Sequence, residues 1–331
     1  MTITSPNALR TLGNSDLRLT PIGFGAWAIS GAGWPGAWGP QDDNESIAAI
    51  HRALDLGINW IDTAALYGLG HSEEVVARAL KTSAHKPLVF TKCARRWRPD
   101  SSTPSGWICY NSQTAASLAE ELDGSLRRLG VETIDLYQFH YPSSESEIEE
   151  GWEAMVRFRE QGKVRWIGAC NYSVEQLKRI QKIAPITSLQ PPYSILCRDI
   201  EKEILPFTQT NGIGVINYSP MVSGLLTGKM TAERIAAMPA DDWRRRAAEF
   251  NEPRLSRNLR LVEMLREIGS GHGVGPGVVA VAWTLHHKGI TAAIVGGRSA
   301  HQVEELAQAL DFRLAEDEYA RINAFQASSL A

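Results

Sequence analysis

Leu118-Ala119-Glu120-Glu121-Leu122-Asp123-Gly124-Ser125-Leu126-Arg127-Arg128-Leu129-Gly130-Val131-Glu132-Thr133-Ile134-Asp135-Leu136-Tyr137-Gln138-Phe139-His140 reads as two elements in succession. Its first half places Leu118, Leu122 and Leu126 at i, i+4 and i+8, one face of a helix. Its second half is a short β-rich run closed by a histidine. Strands alternating with helices imply parallel pairing through helical crossovers, because a tight hairpin cannot join parallel neighbours. The alternation extends both ways, with β-rich runs at 22–25, 58–62, 88–92, 134–140, 164–168, 186–190, 213–218 and 292–295. Ile47, Ile50 and Leu54 mark another helical face at i, i+3 and i+7. Eight such strands in 331 residues favour an α/β fold of the (β/α)8 TIM-barrel type over an open doubly wound sheet.

Ahead of the first strand, residues 11–21 read as a β-hairpin turning at Asn14-Ser15-Asp16. Between the seventh and eighth strands, residues 219–291 hold a Gly-rich turn, a charged stretch over 234–260 and two helices near 255–268 and 276–287. A connection of that length reads as a functional excursion over the barrel rim. There is no internal repeat, low-complexity tract or linker, so one domain over 1–331 is expected.

Lys and Arg number 34 against 37 Asp and Glu, a formal charge of -3, which removes the electrostatic footprint of a dedicated nucleic-acid binder. The first ten residues contain no apolar core of a secretory signal. The longest apolar run, 274–283, is broken by Gly275, Pro276 and Gly277 and falls short of the roughly 18 residues that span a bilayer. Cys93, Cys109, Cys170 and Cys197 show no close pairing, so neither a disulfide framework nor a metal site is expected. These features together read as a reduced, cytoplasmic protein with no membrane partner.

Gly31-Ala32-Gly33-Trp34-Pro35-Gly36 fits G-x-G-x-x-G, but the dinucleotide fingerprint must open a helix. Here it runs into Ala37-Trp38-Gly39-Pro40, which cannot continue one, so a flexible loop is expected. Active sites of (β/α)8 barrels lie at the C-terminal ends of the strands. Those ends read Asp62, Lys92, His140, Asn171, Gln190 and Tyr218, with Tyr67 five residues beyond Asp62. Singly, each has a bland explanation as a cap, a solvated strand end or packing; together on one rim they favour chemistry. A tyrosine hydroxyl is a poor acid unless its phenolate is stabilised, and an ammonium such as Lys92 would do that, itself fixed by Asp62. A neutral imidazole such as His140 can hydrogen-bond a substrate carbonyl oxygen. Such a set protonates an oxygen whose carbon receives a hydride.

The string Asn59-Trp60-Ile61-Asp62-Thr63-Ala64-Ala65-Leu66-Tyr67-Gly68 resembles the D-T-A-x-x-Y-G signature of the aldo-keto reductases. Thr91-Lys92, Leu136-Tyr137-Gln138-Phe139-His140, Gly168-Ala169-Cys170-Asn171-Tyr172-Ser173 and Tyr218-Ser219-Pro220-Met221 resemble its later motifs in the same order, over nearly the whole chain. The resemblance implies an NAD(P)H-dependent carbonyl reductase with the tetrad Asp62, Tyr67, Lys92 and His140. It further implies that Asn171 and Gln190 hold the nicotinamide carboxamide and that Tyr218 stacks on the ring. Gly25, Ala26 and Trp27 would approach the ribose, and Cys170 stands where the family more often has serine. Ser219, Pro220 and the turn Gly224-Leu225-Leu226-Thr227-Gly228-Lys229 resemble the segment over the pyrophosphate. Gly297, Arg298, Ser299, Gln302 and Glu305 would meet the adenine end, where an arginine and a hydroxyl beside a helix N-terminus suit the 2′-phosphate of NADP. NADPH is thus expected over NADH, although Gln302 stands where some branches carry a second arginine.

Five of the ten tryptophans, Trp27, Trp34, Trp38, Trp97 and Trp107, are expected on rim loops as walls of a substrate pocket. Arg95, Arg96 and Arg98 read as a solvated basic loop, with reception of an acidic substrate group as the alternative. Two competing functions remain at this level. One is a cofactor-redox-sensing binding subunit, like the potassium-channel β subunits of the superfamily; the other is a Schiff-base aldolase using Lys92.

Overall fold

The computed structural model describes residues 9–238 and 242–328; the polar start at 1–8 lies outside them. Eight parallel strands close in chain order: β1 (Ile22–Gly25), β2 (Trp60–Asp62), β3 (Leu88–Cys93), β4 (Ile134–Phe139), β5 (Val164–Cys170), β6 (Ser188–Gln190), β7 (Gly214–Asn217) and β8 (Ala292–Val295). Each expected strand is present, most of them shifted by one or two residues at an end, where hydrogen bonding to the neighbour starts or stops. Crossover helices ring the barrel. That over Ala115–Leu129 is capped by Thr114, whose side chain accepts from Ser117 N–H, and ends at Gly130 in the left-handed region, φ 68°. It buries Leu118 and Leu122 fully, with Leu126 at the edge of the core.

Strand periodicity decides what enters the barrel. Trp60, Phe90, Leu136 and Ile216 form the lower interior, together with Ala292 and Ile294. Their neighbours Ile61, Val89, Tyr137, Val215, Ala293 and Val295 belong to the outer core beneath the helices. The lower interior leaves no room beside it: a Cβ on Gly23 would lie 2.1 Å from the Trp60 indole. The N-terminal hairpin (Arg10–Thr11 with Arg18–Leu19) closes this end, its Leu12, Leu17 and Leu19 joining the same cluster. Two residues further along each strand, the inward positions are Asp62, Lys92, Gln138 and Gln190. The upper barrel is therefore polar by the same period that makes the lower barrel apolar.

The long seventh connection contains helices Arg254–His272 and Pro276–His286. The second is buried on every side from Pro276 to Leu285, which explains the apolar run Val278–Trp283. No helix among the described residues is long and apolar enough to cross a membrane. Residues 95–111, expected as a rim loop, instead form an antiparallel ribbon (Arg95–Pro99 with Trp107–Asn111) rising from β3. The Gly31–Gly36 segment opens no helix; the next one starts at Asp43, capped by Asp42.

Candidate active site

At the C-terminal rim the Lys92 ammonium is buried completely and forms an ion pair with Asp62 Oδ1. It also donates to the Thr63 carbonyl at 2.8 Å, while Gln190 Nε2 donates to Asp62 Oδ2 at 2.8 Å. Tyr67 lies over this network, its ring centroid 5.1 Å from Lys92 Nζ. His140 meets the Tyr67 ring edge-on at 5.5 Å, and its Nδ1 has no partner among the described residues. Asn171 donates to the His140 carbonyl at 3.0 Å and accepts from the Tyr218 hydroxyl at 2.9 Å. Asp62, Tyr67, Lys92 and His140, taken from the ends of three strands (β2, β3 and β4) and the turn that follows the first, are thus in one cluster.

Electrostatics assign a resting state. Burial, reinforced by the Lys92 and Arg95 charges, holds the His140 imidazole well below its usual range, so the ring is neutral at neutral pH. Burial also raises Asp62, against the pull of Lys92 and Gln190. The Tyr67 hydroxyl sits well above its ordinary value, again through burial first and then the Asp62 charge. From residue types alone, Lys92 is expected to lower it. Desolvation of the phenol outweighs the nearby ammonium, whose charge Asp62 offsets in part. Tyr67 therefore rests protonated.

The tetrad closes one end of a cavity of about 800 Å³ that runs to Gly297, Arg298, Gln302 and Glu305 at the other. Gly25, Trp27, Asn171, Gln190, Tyr218, Ser219, Pro220, Gly224, Gly228 and Lys229 line it between. Ala26, Cys170 and Leu226 do not reach it; all three are buried behind the wall, and burial pushes the Cys170 thiol up, leaving an inert small group. Lys92 sits beneath the cavity floor and acts on it through Tyr67 and Asp62. Ser299 is not on the cavity wall. Its hydroxyl caps the helix Ala300–Ala307 by accepting from Gln302 N–H.

Arg298 is held through all three guanidinium nitrogens: Nε donates to Gln41 Oε1 at 2.7 Å, Nη1 to the Trp38 carbonyl at 3.1 Å, and Nη2 to the Pro40 carbonyl. The loop before the Asp43 helix is thereby tied to the far end of the cavity.

Trp27, Trp34 and Trp38 line the cavity, whereas Trp97 and Trp107 do not. Both belong to the ribbon; Trp97 packs behind Trp34, Leu66 and Tyr67 and so supports the wall without facing the space. Trp243, which no motif or spacing marks in the sequence, stacks on Trp27 at 6.3 Å and meets Trp38 edge-on at 6.3 Å. Arg244 stands over Trp38 at 4.8 Å and is paired with Asp242. The charged stretch of the seventh connection therefore closes over the cavity mouth, as its length suggested.

Backbone strain gathers here too. Among the described residues the non-glycine positions with positive φ are Leu69, Ala94, Asn171, Ser219, Val222 and Ser223, every one beyond the C-terminal end of a barrel strand. Such conformations cost about 1–3 kcal/mol each and persist where surrounding structure over-determines them, commonly at ligand sites. The turn at 224–228 needs glycine at both ends, since Gly224 and Gly228 have φ of 91° and 77°.

Residues 21–327 match the model of the aldo/keto reductase family. The chain belongs to that family. It is 35% identical over 316 residues to aldo-keto reductase YhdN of Bacillus subtilis (strain 168), covering 95% of this chain and 92% of that one. It is 31% identical to the NADH-specific methylglyoxal reductase of Escherichia coli (strain K12), covering 92% and 94%. Among solved structures it resembles the glycerol dehydrogenase AKR11B4 from Gluconobacter oxydans, with TM-score 0.88 and 33% identity over 98% and 96% of the two chains. As an aldo-keto reductase the protein is an oxidoreductase acting on carbonyl compounds, in a family that uses nicotinamide cofactors.

Proposed function

We propose that this chain reduces an aldehyde or ketone, or oxidises the alcohol in reverse, with Tyr67 as proton donor and NADPH preferred over NADH. The observation that supports this best is the buried Asp62–Lys92 pair beneath a protonated Tyr67, next to a neutral His140, at one end of an elongated cavity. A reduced nicotinamide bound there supplies the hydride. The substrate oxygen is placed between the Tyr67 hydroxyl and the His140 ring, which orients it and stabilises the charge it gains. Tyr67 transfers its proton to that oxygen, and Lys92 stabilises the phenolate left behind, with Asp62 fixing the lysine.

The residues present suit a dinucleotide. Gln190 keeps its Oε1 unengaged by any described residue, so its amide can still accept from a carboxamide while Asn171 braces Tyr218 beside it. Arg298, at the opening of the helix capped by Ser299, offers a half-buried cation for a 2′-phosphate, its present carbonyl partners being exchangeable for a stronger anionic one. The cavity's length and its two chemically different ends read as one unit built by the whole barrel.

The test is a titration with NADPH and NADH followed by oxidation of each over sugars, aromatic aldehydes, keto-steroids and pyridoxal. Tighter NADPH binding and turnover of at least one carbonyl support the proposal. Tight binding with negligible turnover over that panel would favour the cofactor-sensing alternative, and tighter NADH binding would overturn the NADPH preference.

A further inference from the structure

Three arginines follow Lys92 closely, and the structure gives each a different place. Arg96 is spent on Glu120 at 2.7 Å and on Ser117, and Arg98 lies exposed over Tyr110. Arg95 alone of the three lines the cavity, at the tetrad end. Its position is fixed by the left-handed Ala94, φ 67°, which turns the chain from β3 onto the rim. Its Nη1 donates to Asn111 Oδ1 at 2.6 Å, and Asn111 donates onward to the Pro142 carbonyl at 2.8 Å, so the ribbon is pinned to the loop after β4. The guanidinium stands over the Tyr141 ring at 5.5 Å, and Tyr141 stacks on His140 at 5.2 Å.

What Arg95 lacks is a counter-charge. Among the described residues no carboxylate pairs with it, whereas Arg244 and Arg266, also on the cavity wall, pair with Asp242 and Glu263; Arg234 and Arg298, likewise without a carboxylate, donate to backbone carbonyls instead. Its Nε is buried with no acceptor. A half-buried guanidinium held by one neutral amide, against an aromatic wall, is incompletely satisfied. The partner it suits best is a planar anion, which arginine binds through two parallel hydrogen bonds.

We propose that Arg95 is a specificity-determining residue that makes the cavity prefer carbonyl substrates bearing a carboxylate a few bonds from the reacting carbon. Resting on the reductase function above, the carbonyl oxygen lies between Tyr67 and His140, and the carboxylate reaches past Tyr141 to the Arg95 guanidinium. Neutral aldehydes of the same size fill the apolar part of the pocket and leave Arg95 unpaired.

The full-length protein with NADPH is assayed on matched pairs: succinic semialdehyde against butanal, and carboxybenzaldehyde against benzaldehyde. The acid is expected to lead its neutral partner in kcat/KM by about tenfold or more, the worth of a charged hydrogen bond, with the lead shrinking as salt rises. Arg95→Met should collapse the ratio toward one through KM for the acid, and Arg95→Lys should keep part of it. A wild-type ratio near one, or equal losses on acid and neutral substrates in Arg95→Met, overturns the proposal while leaving the reductase function standing. If no aldehyde is turned over, the reductase function falls, and benzoate binding read by tryptophan fluorescence still decides: binding weakened tenfold in Arg95→Met supports the anion site, and unchanged binding refutes it.

Discussion

Lys92→Met removes a fully buried charge while nearly preserving volume, and leaves the Asp62 carboxylate, 2% exposed, with only the Gln190 N–H at 2.8 Å. Breaking one side of a buried pair costs about 3–5 kcal/mol, because the surviving charge stays desolvated. Asp62 can escape by taking up a proton, which its burial already favours. Its folded-state value then lies further above the unfolded one, so the variant loses stability as pH rises; the loss should be smaller near about pH 5 than near about pH 8. Asp62→Asn leaves the ammonium with the Thr63 carbonyl at 2.8 Å and should cost a similar amount. In the double variant neither charge remains, so the combined loss should fall short of the sum by about 2 kcal/mol or more. Urea unfolding of the four proteins at both pH values reads all of this. Additive losses, or single losses under about 1 kcal/mol, would show the pair behaving as an exposed one and refute the reasoning.

Glu121 offers a second titration: its Oε1 accepts from Ala94 N–H at 3.2 Å, its Oε2 is orphaned, and burial pushes the carboxyl up to about 7. A raised value in the folded state contributes stability below the unfolded range that is lost as pH climbs through 7, on the order of 3 kcal/mol in all. Glu121→Gln, which keeps the acceptor for Ala94, should therefore gain on the wild type between about pH 5 and about pH 8 in thermal unfolding; a constant difference would contradict this. Arg298→Met should weaken NADPH binding by about tenfold and NADH binding by less, measured by fluorescence titration. Equal losses for both would mean that Arg298 serves only the Trp38–Gln41 loop.

The barrel was legible because its evidence is local and periodic. Ile134 to His140 alternates between interior and helix-facing positions, and the same alternation that buries Leu136 in the lower barrel brings His140 to the rim beside Lys92. Strand ends therefore point to Asp62, Lys92 and His140, whereas Tyr67, in the turn after β2, is singled out by the resemblance to the family signature. The ribbon at 95–111 was not legible: its first strand, Arg95–Pro99, is mostly arginine and its second, Trp107–Asn111, is a nearly continuous apolar run, so neither alternates to mark a face. That left Trp97 assigned to the pocket when it stands behind it. Trp243 is placed over Trp27 by a long connection with no period of its own, and no spacing rule carries that contact. Arg298 shows the same limit, since its partners at Trp38, Pro40 and Gln41 lie some 260 residues away and only closure of β8 onto β1 brings them together. The expectation of a lowered Tyr67 pKa failed for another reason: residue types name the charges but not how far burial outweighs them.

The proposed reaction turns on Tyr67 giving the proton. Turnover of a carbonyl substrate by Tyr67→Phe, measured beside its NADPH affinity, tests it most directly. Affinity close to wild type is expected, with turnover lower by about 100-fold or more, the scale of general-acid catalysis. Full turnover with phenylalanine at position 67 would contradict it.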